Sequence, residues 1–276
     1  MPHPHRSYDD EGDGPAVILL HGYPFNRSMW REQTDFLGAH GFRAIAPDLL
    51  EMSDKFQLVA DTHEPEWQRQ AEAYRTIRTM ESMARYVSAL MDELKIDQAV
   101  ICGLSMGAYV AFEFVHLFPK RVRALVLAGA RAQDPDEDEK QSREQQARRI
   151  LTEGMAFVVD AMLPKLLAPR TLAEKPAVVS LVHEMILRTD PRGAAAAQRG
   201  MAVHRDYSND LSDIEAPTLI IAGREDAIRK LEDAEFIRRG ITNSHLEIID
   251  DAGHLMNMEH AHIFNNTFID FLGLIN

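Results

Sequence analysis

A serine flanked by glycines stands at Gly103-Leu104-Ser105-Met106-Gly107, directly after a short apolar run and directly before an almost wholly apolar helical pattern. Strand, then Gly-x-Ser-x-Gly, then helix is the arrangement in which a sharp strained turn lifts a hydroxyl above the edge of a sheet. Small residues at 103 and 107 relieve crowding in such a turn. The N-terminus of the following helix favours negative charge developing beside the serine.

A serine hydroxyl is a weak nucleophile until a base takes its proton. The chain has twelve histidines. His254, in Asp251-Ala252-Gly253-His254, follows the last apolar run and precedes the C-terminal helical pattern, where a loop returns to the carboxyl edge of a sheet. His3 and His5 lie in the N-terminal stretch. His116, His183, His260 and His262 fall on helical patterns, where packing or exposure explains them. His21 is a rival base, but its place ahead of the serine in chain order suits a structural role. The imidazole in turn needs an acid to hold its tautomer. Asp226, in Gly223-Arg224-Glu225-Asp226, closes another apolar run, and its neighbour Glu225 is expected to face solvent. Donors for a tetrahedral oxyanion are expected from the backbone N–H of Met106 and, in His21-Gly22-Tyr23-Pro24, from that of Tyr23.

These residues need a frame. Apolar runs at 16–20, 44–46, 99–102, 124–128, 218–222 and 246–249 have the unbroken character of parallel strands covered on both faces. Between them lie helical stripes, among them Met83, Val87, Leu90, Met91 and Leu94, then residues 108–118 ending before Pro119, then Ala261, Phe264, Phe268, Phe271 and Leu272. Strands alternating with helices mean an α/β fold with a mostly parallel sheet and right-handed crossovers. The alternation breaks between residues 131 and 217. There the pattern is helical only, over 147–167, 177–187 and 194–203. The acid-rich Asp134-Pro135-Asp136-Glu137-Asp138-Glu139 is expected to open this segment as a solvated loop. The domain reading is therefore a catalytic core of residues 1–130 and 218–276, interrupted by a helical cap of residues 131–217 inserted after the strand at about 123–129.

The 276 residues carry 30 basic and 43 acidic side chains, a formal charge of −13. That balance opposes binding to nucleic acid or to an anionic membrane through the bulk field. One cysteine, Cys102, leaves no intrachain disulfide and is read as strand packing. With no secretory signal and no apolar stretch of about 20 residues, the expectation is a soluble cytoplasmic protein, monomer or homodimer.

The four segments Leu20-His21-Gly22-Tyr23-Pro24, Gly103-Leu104-Ser105-Met106-Gly107, Ile221-Ala222-Gly223-Arg224-Glu225-Asp226 and Ala252-Gly253-His254-Leu255 with Glu259 resemble, in pattern and order, the α/β-hydrolase superfamily. Leu127-Ala128-Gly129-Ala130-Arg131-Ala132 and Arg205-Asp206 with Leu211 are similar to its carboxylesterase and 3-oxoadipate enol-lactonase-like group. The resemblance implies a serine hydrolase that cleaves a small-molecule carboxylic ester or lactone through an acyl-enzyme, with Ser105, His254 and Asp226 as its triad and with no metal or organic cofactor. The alternatives are a meta-cleavage C–C bond hydrolase and a catalytically silent small-ligand receptor. Ser105 stands where related dehalogenases and most epoxide hydrolases carry an aspartate, which argues against both. Two departures stand out. The family's opening hairpin must be shortened or missing, and a longer segment at residues 49–75 follows Asp48. Arg131, Met155 and Met162 are candidate substrate contacts, with Phe157, Leu166 and Arg205 as further possibilities. Salt bridging by the arginines and packing between helices by the apolar side chains are the commoner roles.

Overall fold

The six apolar runs become six parallel strands: β2 (Ala16–Leu20), β3 (Arg43–Pro47), β4 (Ala99–Leu104), β5 (Val122–Ala128), β6 (Thr218–Gly223) and β7 (Ser244–Ile249). The structure is a computed structural model and describes residues 7–50 and 77–275. With β1 (Tyr8–Glu11) at one edge, the strand order is β1-β3-β2-β4-β5-β6-β7, which puts β4 at the centre. Every residue of β4 and β6 is buried, as expected of strands covered on both faces.

The first strand among the described residues is the edge strand β1 (Tyr8–Glu11), antiparallel to β3. Its Tyr-Asp-Asp-Glu composition carries no strand pattern. A neighbour supplies the pairing instead, since the Arg43 guanidinium donates to both Asp10 carboxylate oxygens at 2.9 and 2.8 Å.

Helices α1 (Arg31–Ala39), α2 (Met80–Glu93) and α3 (Met106–Leu117) alternate with the first strands. The buried face of α2 holds the expected Met83, Val87, Leu90 and Met91, while α3 is buried almost all round. Cys102 is fully buried in β4, where loss of water raises its thiol pKa, consistent with packing rather than chemistry.

Five helices lie between β5 and β6: α4 (Glu137–Glu153), α5 (Ala156–Leu166), α6 (Pro169–Glu174), α7 (Pro176–Arg188) and α8 (Pro191–Ala202). Two expectations are corrected here. The acidic run is not all loop, because Asp136 caps α4 by accepting from Glu139 N–H at 2.8 Å and the next three acids form its first turn. Carboxylates there complement the helix dipole, which makes the run a helix start. The single helix expected over 147–167 is two, broken at Gly154, whose φ of +76° ends α4. Helix α8 packs against α4 and approaches backbone closely. A Cβ on Gly200 would stand 1.8 Å from Arg78 O, which glycine alone permits.

The chain closes with α9 (Leu231–Gly240), α10 (Met256–Glu259) and α11 (Ala261–Leu274). His260 joins the last two rather than lying within a helix. No helix among the described residues is long and apolar enough to cross a membrane. His3, His5 and most of the 49–75 segment lie outside the described residues.

Candidate active site

Ser105 forms the junction between β4 and α3 with φ +56° and ψ −110°, a backbone conformation that side chains rarely adopt and that costs on the order of 1–3 kcal/mol. The flanking glycines make the turn possible. A Cβ on Gly103 would lie 2.2 Å from Gly107 O, and one on Gly107 would lie 2.0 Å from Leu20 O. The turn is pinned by Ser105 N–H, which donates to Ala128 O of β5 at 2.9 Å. Central strands and a buried helix thus hold the hydroxyl at the carboxyl edge of the sheet.

His254 and Asp226 meet at that same edge, from the loops after β7 and β6. The imidazole Nδ1 lies 2.7 Å from Asp226 Oδ2, with both side chains 2% exposed. The other carboxylate oxygen accepts from Ile228 and Arg229 N–H at 2.7 and 2.8 Å. Held so, the carboxylate takes the Nδ1–H, which places the lone pair of the neutral imidazole on Nε2. Glu225 is exposed, as expected.

Two further residues, both within segments quoted above for the resemblance but given no role there, support this pair. Gly129, just past β5 at φ +52°, lies directly against it: an added Cβ would come 3.0 Å from His254 Cε1 and 3.5 Å from Asp226 Oδ2. Glu259 is buried and accepts from the N–H of Gly253 at 2.8 Å and of Ala168 at 2.7 Å, which fixes the residue before His254. Burial raises the Glu259 pKa above its ordinary value against the pull of these donors. A strand-ending glycine and an acid five residues after a histidine are faint signals, meaningful only once packing is known.

Tyr23 lines the same cavity as Ser105 and His254, and Met106 is the first residue of α3. Neither backbone N–H hydrogen-bonds to another described residue, so both remain available as donors. His21 is excluded as the base by its surroundings. It is fully buried, with Nδ1 3.0 Å from Gly22 O and Nε2 accepting from Leu49 N–H at 2.8 Å. Burial lowers its pKa to about 4, so it is neutral and ties two loops together.

The cavity holding Ser105 and His254 measures about 590 Å³ and is walled by α4, α5, α8 and the loop after β6. Met162 and Phe157 line it. Met155 and Leu166 are buried in the packing instead, and Leu166 O accepts from Leu255 N–H at 3.1 Å. Arg131 does not line the cavity. Its guanidinium donates to Glu139 at 2.9 Å and to the carbonyls of Gln133 and Asp134, so it ties the end of β5 to the first turn of α4. Arg205 is likewise engaged, with Asp210 at 2.6 Å. The arginines that do face the cavity are Arg143, Arg149 and Arg229. A second cavity, of about 740 Å³, is lined by Phe112, His116 and Tyr207 among others and contains neither Ser105 nor His254. No cluster of three potential metal ligands occurs among the described residues.

The chain is 25% identical over 258 residues to 3-oxoadipate enol-lactonase 2 of Acinetobacter baylyi, covering 93% of this chain and 88% of that one. It is 28% identical over 282 residues to 2-hydroxy-6-oxononadienedioate/2-hydroxy-6-oxononatrienedioate hydrolase 1 of Pseudomonas putida, covering 96% and 90%. Among solved structures it is similar to a thermophilic esterase from Thermogutta terrifontis with malate bound, at 33% identity and a TM-score of 0.88 over 97% of this chain and 93% of that one. It is also similar to the enol-lactonase from Burkholderia xenovorans LB400, at 25% identity and a TM-score of 0.81 over 96% and 95%. The model of the alpha/beta hydrolase family matches residues 17–267, from the second strand into the last helix, and by that match, with this sheet order and a serine at its central turn, the chain belongs to that family.

Proposed function

We propose that the protein is a serine hydrolase that cleaves a carboxylic ester or lactone of a small molecule through an acyl-enzyme. One observation carries this reading: Ser105, at φ +56° on the apex between β4 and α3, lines the same cavity as His254, whose Nδ1 lies 2.7 Å from Asp226 Oδ2. Ser105 Oγ attacks the carbonyl carbon while His254 Nε2 takes the hydroxyl proton. The tetrahedral oxyanion accepts from the N–H groups of Met106 and Tyr23, donors whose removal in comparable sites costs ~10²–10³ in rate. His254 then gives the proton to the departing alkoxide, leaving Ser105 acylated. Water attacks the acyl group, again through His254, and releases the acid. Asp226 stays ionised throughout and stabilises the imidazolium. Residues 131–217 act as the cap: α4, α5 and α8 wall the cavity and hold bulk water away from the reacting atoms.

The relatives support hydrolysis and differ in the bond attacked. The solved esterase and the two enol-lactonases favour an ester or lactone, while the Pseudomonas putida relative is named for 2-hydroxy-6-oxononadienedioate. The test is to treat the purified protein with a fluorophosphonate, and to compare turnover of aryl esters and lactones with turnover of 2-hydroxy-6-oxo-dienoates. Stoichiometric labelling of Ser105 and ester turnover abolished in Ser105→Ala are expected. Ester hydrolysis that persists in Ser105→Ala, or turnover of the dienoates alone, overturns the proposal.

A further inference from the structure

The cavity at Ser105 is charged against the trend of the molecule. The chain carries a formal −13, yet the cavity is lined by Arg143, Arg149, Lys165 and Arg229 against one carboxylate, Glu139. That carboxylate is already taken twice, by Arg143 at 2.6 Å and Arg131 at 2.9 Å. Arg149 is paired with Glu153 and lies over the Phe157 ring. Arg229 differs from these. Its Nη2 donates to Tyr109 Oη at 2.6 Å and its Nη1 to Ile228 O at 3.3 Å, and it forms no salt bridge among the described residues.

Two donors in this lining, Arg229 Nε and Arg143 Nε, are buried with no acceptor, and the buried Tyr23 hydroxyl beside them has Gln198 as its neighbour. A buried donor with no acceptor in the chain is rare, and in a cavity lining it is a place where an oxygen of a bound molecule would accept. A half-buried guanidinium with a buried Nε that reaches no acceptor, and with no salt bridge among the described residues, is matched best by a planar anion able to accept from its fork. The position of Arg229 is set by the catalytic frame, because its own backbone N–H donates to Asp226, the acid facing His254.

We propose that Arg229, assisted by Arg143 and the Tyr23 hydroxyl, receives a free carboxylate of the substrate, so that the molecules cleaved at Ser105 are esters or lactones of small carboxylate-bearing acids. The identity of the molecules as substrates rests on the serine hydrolase reading. The anion site itself does not. A volume of about 590 Å³ suits a small organic acid.

The experiment measures binding of glutarate and of glutaramide, its uncharged counterpart, by isothermal titration calorimetry, and inhibition of 4-nitrophenyl butyrate hydrolysis by both. Glutarate is expected to bind at least tenfold more tightly than glutaramide. The preference is expected to fall below threefold in Arg229→Gln and to survive in part in Arg229→Lys, which keeps the charge without the fork. Raising NaCl from 50 to 500 mM is expected to weaken glutarate but not glutaramide. Equal binding of acid and amide, an intact preference in Arg229→Gln, or inorganic phosphate binding as tightly as glutarate overturns the proposal. Should Arg229→Gln lose its cooperative melt, Arg229→Lys and the salt series decide. Calorimetric preference for glutarate without labelling of Ser105 would sink the hydrolase reading and leave the anion site standing. Labelling and ester turnover without that preference would do the reverse.

Discussion

Ala168 donates its backbone N–H to the buried carboxylate of Glu259 at 2.7 Å, and through that acid the helical segment between β5 and β6 is joined to the loop that carries His254. The same carboxylate accepts from Gly253 N–H at 2.8 Å, and the contact is tightened by Leu255 N–H donating to Leu166 O. The base of the proposed triad is thus positioned from both sides: by the core through Asp226 and by the helices through Glu259.

Glu259→Gln keeps one acceptor oxygen and turns an amide nitrogen toward one of the two N–H donors. Leaving a buried donor unpaired costs ~1–3 kcal/mol. Urea unfolding at neutral pH should report a loss in that range, and kcat/KM on an aryl ester should fall more than KM alone explains. The pH dependence has a definite sign. A folded pKa raised by burial means the native state holds its proton longer, so wild-type stability declines as pH rises from about 4.5 to the raised value. That component of the slope should vanish in Glu259→Gln.

Gly129→Ala places a methyl group 3.0 Å from His254 Cε1 on a residue at φ +52°. The left-handed backbone costs about 1–2 kcal/mol for a non-glycine residue, roughly 2–4 °C in melting temperature per kcal/mol. Displacement of the imidazole should lower kcat at least tenfold, since small misplacements of reacting groups are expensive. A variant that melts lower but turns over at the wild-type rate would show that Gly129 serves the backbone alone.

Asp226→Asn should lower kcat by about 10⁴ at neutral pH, because the amide cannot both orient His254 and stabilise its charged form. Its fold should survive if the remaining oxygen still accepts from Ile228 and Arg229 N–H, bonds of 2.7 and 2.8 Å in the native chain. Calorimetry and a pH–rate profile would separate the two effects.

His21 contributes to acid sensitivity. Its pKa falls from 6.5 to about 4 on burial, so the unfolded chain binds a proton that the native state refuses. Stability from this group is complete above pH 6.5 and is lost as pH drops toward 4, a change of roughly 3 kcal/mol. His204, lowered to about 4 by burial as well, titrates in the same window. Urea midpoints measured from pH 7 to pH 4 should fall steeply, and His21→Asn should flatten part of that descent.

How much of this was legible in the chain differs from residue to residue. Strand positions were readable because a buried parallel strand must be apolar throughout, and the runs at 16–20 and 218–222 lie in β2 and β6. The turn at Ser105 was readable because only glycine at 103 and 107 lets β4 and α3 meet so closely. The exposure of Glu225 and the structural role of His21 were also foreseeable from order and spacing. Arg131 and Met155 could be shortlisted from sequence but not placed: Arg131 turns to Glu139 and Met155 enters the packing, while Arg143 and Arg229 take the cavity.

By itself the sequence determined the six parallel strands and most of the helices, and which serine, acid and histidine reach one edge of the sheet, since local periodicity and sterics act over a few residues. Edge strand β1 and the break at Gly154 were set by neighbours and backbone conformation. Only the tertiary structure decided which arginine faces the cavity, which glycine makes room for His254 and which acid holds its loop. Those choices rest on contacts such as Tyr109 with Arg229 and Ala168 with Glu259, 120 and 91 residues apart in the chain. No local pattern encodes such contacts, because they exist only once the packed helices and strands have set the directions of their side chains.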